Sequence, residues 1–254
     1  MRYLLVAVIL IAVLPVPAYA ELDRAAVAGL AFDPRPGTQL PPELQFRDEN
    51  GNPVMLGDYF GTRPVVLSLN YFHCQYLCPI EEDGLISAFN GIGPSLGSDF
   101  TLLTVSIDPR DGPADAAIVK ARGLRGYNRP SGDSGWHLLT SDQFTIDRLA
   151  HAVGFAAIHD PQAGDFAHAI GAIVLTPQGV ITHYLEGIEF DSGEIQSALN
   201  DSGTSAVLGT VLVCYHFDPL TGRYTELALN ALRIGGAVTV IGMLVFLLKL
   251  ARSP

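Results

Sequence analysis

Two of the three cysteines of this 254-residue chain lie in one short stretch, and that stretch constrains the fold more than any other feature. Cys74 and Cys78 follow directly after residues 64–71 (PVVLSLNY), an apolar and β-branched run of strand length. Residues 80–92 then show apolar side chains at helical spacing behind a group of acidic residues, which favours a helix. The pair is therefore predicted at a strand-to-helix junction, near the positive end of a helix, where a thiolate is stabilised.

The spacing of the two cysteines indicates what they can do together. If the chain is helical here, residues four apart lie on one face, so Cys74 and Cys78 project the same way. Two such thiols can bind a soft metal ion as thiolates, or they can close into a disulfide. Three cysteines cannot form a disulfide framework, so this pair does not serve to staple a small fold. Both interpretations of the pair remain open from the spacing alone.

The mean hydropathy of +0.29 is high for a soluble protein, and the chain is strongly apolar at both ends. At the N-terminus, basic Arg2, an apolar run over residues 4–14 and the small-residue pattern Ala18-Tyr19-Ala20 predict a signal peptide over residues 1–20, cleaved after Ala20. The competing interpretation is an uncleaved membrane anchor. The apolar run is too short to cross a bilayer, which favours cleavage.

At the C-terminus, residues 231–250 are almost wholly apolar and long enough to span a membrane. A buried helix of the globular domain is the alternative, but no side of this helix would be polar. Lys249 and Arg252 place the short tail, residues 251–254, on the cytoplasmic side. The domain between the two apolar ends is therefore expected outside the cytoplasm.

The net charge of −11 limits the choice of partners. Without the basic residues of the two apolar ends, the exported part keeps 11 basic residues against 26 acidic ones. Nucleic acid is therefore an improbable partner, whereas cations or a basic protein are compatible with this charge.

Between the two ends, the order of the predicted elements indicates an α/β fold. A Pro-rich lead-in over residues 21–43 precedes a domain over residues 44–202, which is followed by a connector over residues 203–230. Within the domain the pattern predicts a hairpin around Asn50-Gly51, strands at 64–71, 100–107 and 136–139, helices at 80–92, 114–122 and after a capping box at 140–143, a hairpin over 169–185, and a helix from Asp191 to Leu199. This order favours a mixed sheet with helices on both faces.

Three separated motifs together resemble the Sco/SenC family. They are Tyr71-Phe72-His73-Cys74-x-x-x-Cys78-Pro79 after one strand, residues 106–111 (SIDPRD) after the next, and the histidine of residues 166–168 (FAH) before the second hairpin. The resemblance runs from about Leu44 to Leu199. The predicted anchoring departs from the family. Many relatives use an uncleaved N-terminal helix, whereas this chain is predicted to have a cleaved signal peptide and a C-terminal membrane span.

The resemblance implies a thioredoxin-like domain on the outer face of a bacterial inner membrane, in the periplasm. It implies a metallochaperone rather than an enzyme, with copper bound by the thiolates of Cys74 and Cys78 and the imidazole of His168. Two thiolates and one imidazole suit Cu(I), with Cu(II) as a further option. The expected partner is the copper-containing subunit of cytochrome c oxidase, or another copper chaperone.

The expected mechanism is ligand exchange from an exposed copper complex, with the Cys74–Cys78 disulfide as the oxidised state that cannot bind. The alternative is a thiol-disulfide oxidoreductase that uses the same redox-active pair to reduce the cysteines of an oxidase copper site.

Four other residues are further candidates for a functional site. His73 is predicted to point away from Cys74, or else to raise its thiolate character. Asp108 is read as a cap of the following turn, with a functional group at the strand end as the alternative. Cys214 and His216 are read as a buried cysteine with an unrelated histidine, with a second thiol and imidazole site as the alternative.

Overall fold

The computed structural model describes residues 30–160 and 164–201, together with Gly236 and Thr239. Outside the described residues lie the predicted signal peptide, the predicted connector with Cys214 and His216, the predicted cytoplasmic tail and nearly all of the predicted membrane span. Within the part of the chain that is described, no helix combines the length and the apolar character needed to cross a membrane.

The described residues form two small β-hairpins, one larger sheet and five helices. In chain order the elements are β1 (Gln45–Arg47), β2 (Pro53–Met55), β3 (Val65–Asn70), α1 (Leu77–Asn90), β4 (Thr101–Ser106), α2 (Pro113–Gly123), α3 (Gly132–Gly135), β5 (Trp136–Leu139), α4 (Gln143–Ala152), β6 (Ala157–Asp160), β7 (Asp165–His168), β8 (Gly171–Leu175), β9 (Ile181–Glu186) and α5 (Ser192–Asn200). A 3-10 turn, Leu56–Tyr59, follows β2.

The larger sheet has the strand order β5-β4-β3-β8-β9. Strands β3, β4 and β5 are parallel neighbours, whereas β8 runs antiparallel to both β3 and β9. Every residue of β3 is buried, which explains why this central strand is a continuous apolar run rather than an alternating pattern. The mixed sheet predicted from the sequence is confirmed.

Helices cover both faces of the sheet, as the order of elements predicts. Because successive side chains of a strand point to opposite faces, Leu67 packs with Ile146 of α4 on one side. Val66 lies in the cluster on the other side, with Leu85 of α1 and Ile195 of α5. Part of the predicted lead-in also belongs to the core, since residues 30–43 bury the side chains of Leu30, Phe32 and Leu40.

One local prediction is wrong, and one element of the structure was not predicted. The cap of α4 is Asp142 alone, whose carboxylate accepts the backbone N–H of Thr145 at 2.8 Å, so the predicted capping box at residues 140–143 is wrong. The hairpin of β6 and β7 was not predicted. Its strand β6 has no buried residue, so it lacks the apolar alternation by which a strand is recognised.

One edge of the sheet collects the loops that matter for function. The parallel strands β3 and β4 end side by side, with Asn70 opposite Ser106. Strand β8 runs the other way and begins at this same edge, where Ala172 pairs with Ser68. The loops after β3 and β4 and the segment that enters β8 therefore meet in one place.

Candidate functional site

The two cysteines lie where β3 leads into α1, as predicted, but they do not share one helix. Cys78 is the second residue of α1, whereas Cys74 lies in the preceding turn, where its N–H donates to the carbonyl of Tyr71 at 3.2 Å. Both cysteines are in the reduced thiol form, and their thiol groups are hydrogen-bonded to each other. A turn followed by the first turn of a helix thus brings the thiols together.

His168, the last residue of β7, lies against this pair. Its Nε2 is 3.9 Å from Cys78 Sγ, and its Nδ1 is 2.6 Å from the carbonyl oxygen of Ala169. A carbonyl can only accept a hydrogen bond, so Nδ1 carries the proton and Nε2 presents its lone pair toward the thiols. Burial lowers the pKa of His168, which keeps the imidazole neutral. The structure therefore brings together the three predicted ligands.

Aromatic rings fix the imidazole from its other sides. The ring of Tyr71 lies edge-on to His168 at 6.1 Å between centroids, and the ring of Phe155 lies at 5.5 Å. Phe166 packs against Tyr71 in turn, at 5.4 Å. These contacts limit rotation of the imidazole and keep water away from it.

The thiols differ from the prediction in their proton affinity. The hydrogen bond with the Cys78 thiol and the burial of the site raise the pKa of Cys74 far above that of a free cysteine. The predicted stabilisation of a thiolate at the helix N-terminus is present but outweighed, because the backbone N–H groups of Tyr76 and Cys78 hydrogen-bond to Cys74 and lower its pKa. Metal binding must therefore displace protons from the reduced pair.

The site is also less open than expected. The exposed fractions of Cys74, Cys78 and His168 are 7%, 2% and 0%. The expectation of an exposed complex is wrong for this conformation, since all three residues are buried. Cys74 is the least buried of the three.

A buried carboxyl group beside the site was not foreseen. The acidic residues after Cys78 were expected in the first turn of the helix, but α1 begins earlier, at Leu77, and Glu81 is fully buried. It accepts a hydrogen bond from the backbone of Gly171 and, with the Asn70 amide turned so that its nitrogen faces Glu81, a second one at 3.0 Å; among the described residues its Oε1 has no hydrogen-bond partner. Burial raises the pKa of Glu81 well above its usual range. Its position three residues after Cys78, on the same helix face, is the signal that could have found it.

Asp108 takes the structural role that was favoured for it. Its carboxylate accepts the backbone N–H of Arg110 at 2.9 Å and pairs with the Arg110 guanidinium at 2.7 Å. It thereby shapes the turn after β4. Asp111 connects this turn to the loop after β3, because its Oδ2 accepts the N–H of Phe72 at 2.7 Å and the hydroxyl of Ser106 at 2.6 Å.

His73 points away from the thiols, as predicted. The alternative, in which His73 raises the thiolate character of Cys74, is not supported by a contact between the two side chains among the described residues. His73 Nδ1 is 2.5 Å from Asp111 Oδ1, and the His73 side chain is 64% exposed. Among the described residues, one group of three metal-ligating side chains has one donor atom of each within 4.8 Å of the others, and it consists of His73, Asp111 and Asp115. The two thiols and His168 are less tightly gathered.

Comparison with known proteins places these motifs in a family. The SCO1/SenC family model matches residues 33–202, about two thirds of the chain. A putative electron transfer protein from Aquifex aeolicus is 26% identical, with a TM-score of 0.58 over 65% of this chain and 92% of that one. No curated protein sequence matches significantly.

Two more distant structures share the fold. Arabidopsis thaliana ScoI with copper bound is 17% identical, with a TM-score of 0.52 over 64% of this chain and 94% of that one. BsSco, described as a member of the Sco family of cytochrome c oxidase assembly proteins with a disulfide switch, is 19% identical, with a TM-score of 0.51 over 65% and 96%. With a family model that matches most of the folded part and a thioredoxin-like mixed sheet that carries its motifs, the chain belongs to the SCO1/SenC family.

Proposed function

We propose that this protein binds copper through Cys74, Cys78 and His168 and delivers it during assembly of cytochrome c oxidase. The observation that carries the proposal is the orientation of His168, whose Nδ1–H is held by a carbonyl while Nε2 faces the cysteine pair. A disulfide alone would not require an imidazole in this position. The copper-bound Arabidopsis relative supports the choice of metal.

The donor set favours Cu(I). Two thiolates and one neutral imidazole form a soft site with three ligands, which suits Cu(I), whereas a structural zinc site would use a fourth protein ligand. The thiol protons leave as the metal binds. The fixed imidazole then needs little reorientation to complete the site.

Delivery is proposed to proceed by ligand exchange at Cys74. Because Cys74 is the least buried ligand, an incoming thiolate or imidazole of the partner can replace it while the other two still hold the ion. The proposed partner is the copper-containing subunit of cytochrome c oxidase, or another copper chaperone.

We further propose that the domain works in the periplasm of a bacterium, on the outer face of the inner membrane. The signal peptide predicted over residues 1–20 would direct export, and the apolar residues 231–250 would anchor the chain with its C-terminus in the cytoplasm. Protease accessibility of the domain in spheroplasts, compared with that of a C-terminal tag, tests this topology.

Titration of the reduced full-length chain with Cu(I) tests the metal site. We expect the wild type to bind one equivalent, and the variants Cys74→Ser, Cys78→Ser and His168→Ala to lose tight binding. The matched control is Cys214→Ser, which removes the third cysteine and is expected to bind like the wild type. Near-stoichiometric Cu(I) retained by Cys74→Ser would overturn the assignment.

A second function is favoured by the direct hydrogen bond between the two thiols. In this alternative the reduced pair transfers two electrons to a partner disulfide through a mixed disulfide; Cys74 and Cys78 become a disulfide, and the partner gains two thiols with the two protons. Reduction of such a substrate in the absence of copper, with a rate unaffected by His168→Ala, would favour this function over copper delivery. The disulfide switch described for BsSco is consistent with such a redox cycle.

A further inference from the structure

A second group of donor atoms lies at the same edge of the sheet, apart from the cysteines. His73 follows β3, Asp111 follows β4, and Asp115 lies in the first turn of α2. One donor atom from each of these three side chains can be chosen so that the three atoms lie within 4.8 Å of one another. Three separate chain segments thus converge on one imidazole.

Each carboxylate is held by the protein through one oxygen and turns the other toward the imidazole. Asp111 uses Oδ2 for the N–H of Phe72 and the hydroxyl of Ser106, and its Oδ1 lies 2.5 Å from His73 Nδ1. Asp115 uses Oδ2 for the backbone N–H three residues earlier, at 2.9 Å, and its Oδ1 lies 3.5 Å from His73 Nε2. Both orientations are therefore fixed before any ligand arrives.

No lysine or arginine side chain forms an ion pair with these two carboxylates in the described part of the chain. The ion pairs of Asp111 and Asp115 there involve His73 alone. The nearby guanidinium of Arg110 is taken by Asp108. Two negative charges around one imidazole, in a chain with a net charge of −11, leave room for a cation.

We propose that these residues form a second metal site, in which His73 Nε2 and Asp115 Oδ1 bind a divalent first-row ion such as Zn²⁺ or Cu²⁺. Two donors 3.5 Å apart can share an ion at metal–ligand distances of roughly 2.0–2.2 Å, and water completes the coordination. Asp111 is a positioning residue, because a carboxylate on the other ring nitrogen orients a metal-binding histidine. Nitrogen and oxygen donors select such ions over Cu(I), which the thiols prefer.

The test uses the full-length Cys74→Ser/Cys78→Ser variant, which lacks the cysteine pair. We expect it to bind one equivalent of Zn²⁺, and the ring ¹⁵N resonance of His73 Nε2 to shift as the metal is added. Adding His73→Gln should abolish this equivalent, and adding Asp111→Asn should weaken it about 10- to 100-fold.

The matched control for the acidic ligands is Asp133→Asn, which removes an exposed carboxylate elsewhere and should leave Zn²⁺ binding unchanged. Unfolding midpoints of all variants show whether a loss of binding reflects a loss of fold. Zn²⁺ binding that persists in a folded His73→Gln variant, or no bound Zn²⁺ in the parent variant, would overturn the proposal and leave an imidazole–carboxylate ion pair. Neither result bears on Cu(I) binding by the wild type, so this site and the copper site fail independently.

Discussion

Acid should weaken the fold through one buried carboxylate, and Glu49→Gln tests this. Glu49 lies in the turn between β1 and β2, with a side chain that is 4% exposed. Its Oε1 is 2.6 Å from Lys120 Nζ in α2, and its Oε2 accepts the N–H of Leu138 in β5 at 3.2 Å. This one carboxylate therefore fastens the first hairpin to a helix and to the edge strand of the sheet.

The magnitude follows from the pKa of Glu49. Burial by itself raises this pKa, but hydrogen bonds from His137 and Lys120 outweigh burial and bring it from 4.5 down to about 2. Because the pKa is lower in the folded chain, the ionised group stabilises the fold above pH 4.5, and this stabilisation is lost as the pH falls toward 2. The difference corresponds to about 3 kcal/mol near neutral pH, of which about half remains at pH 3.

Urea unfolding of the wild type and of Glu49→Gln between pH 7 and pH 3 measures this contribution. Glutamine has the shape of the protonated carboxyl group, so the variant should be less stable by about 3 kcal/mol at pH 7, and the difference should shrink to about half at pH 3. Glu43→Gln is the control, since Glu43 forms an exposed ion pair with Arg148 and should change stability little. A difference for Glu49→Gln that stays constant over this pH range would refute the reasoning.

Three further outcomes are expected. Because burial raises the pKa of Glu81, this group should make the wild type less stable as the pH rises above 4.5. In urea unfolding at pH 8, Glu81→Gln should therefore be more stable than the wild type. Equal stabilities of the two proteins would contradict this. Gly84→Ala should lower the free energy of unfolding by about 1–3 kcal/mol in the same assay, because the added Cβ would lie 2.1 Å from the carbonyl oxygen of Ile188. Gly93→Ala is the control and should leave this free energy unchanged, because a Cβ at Gly93 meets no atom closer than 3.8 Å. Cu(I) affinity, measured against a chromogenic chelator, should fall by about 100-fold per pH unit in acid because two thiols must lose protons, and a pH-independent affinity would exclude binding by two thiols.

The sequence predicted best those elements whose local pattern also reflects their place in the fold. Strand β3 is buried on both faces, so its uninterrupted apolar run identifies a central strand, and the cysteines after it are placed correctly at the junction with α1. His168 was found only through the family resemblance. Its approach to Cys78 depends on the antiparallel pairing of β8 with β3, which no local pattern encodes.

The errors have a common physical origin in burial. Glu81 was predicted in the first turn, where an acidic residue complements the helix N-terminus, yet it is buried between α1 and the start of β8. At Cys74 the hydrogen bond with Cys78 and, after it, burial raise the pKa, where the helix N-terminus alone suggested the reverse. Burial comes from tertiary packing, which cannot be read from the spacing of residues.

The separation of the proposed ligands along the chain has a consequence for the order of maturation. Cys78 and His168 are 90 residues apart, and they meet only once β8 has paired with β3. A partly folded chain that has formed only β3 and α1 offers two thiols without the imidazole. An ion that prefers the full set of ligands binds the finished fold over its precursors and stabilises it by mass action. Loading would then act as a checkpoint, at which only completely folded molecules acquire copper and proceed to a partner.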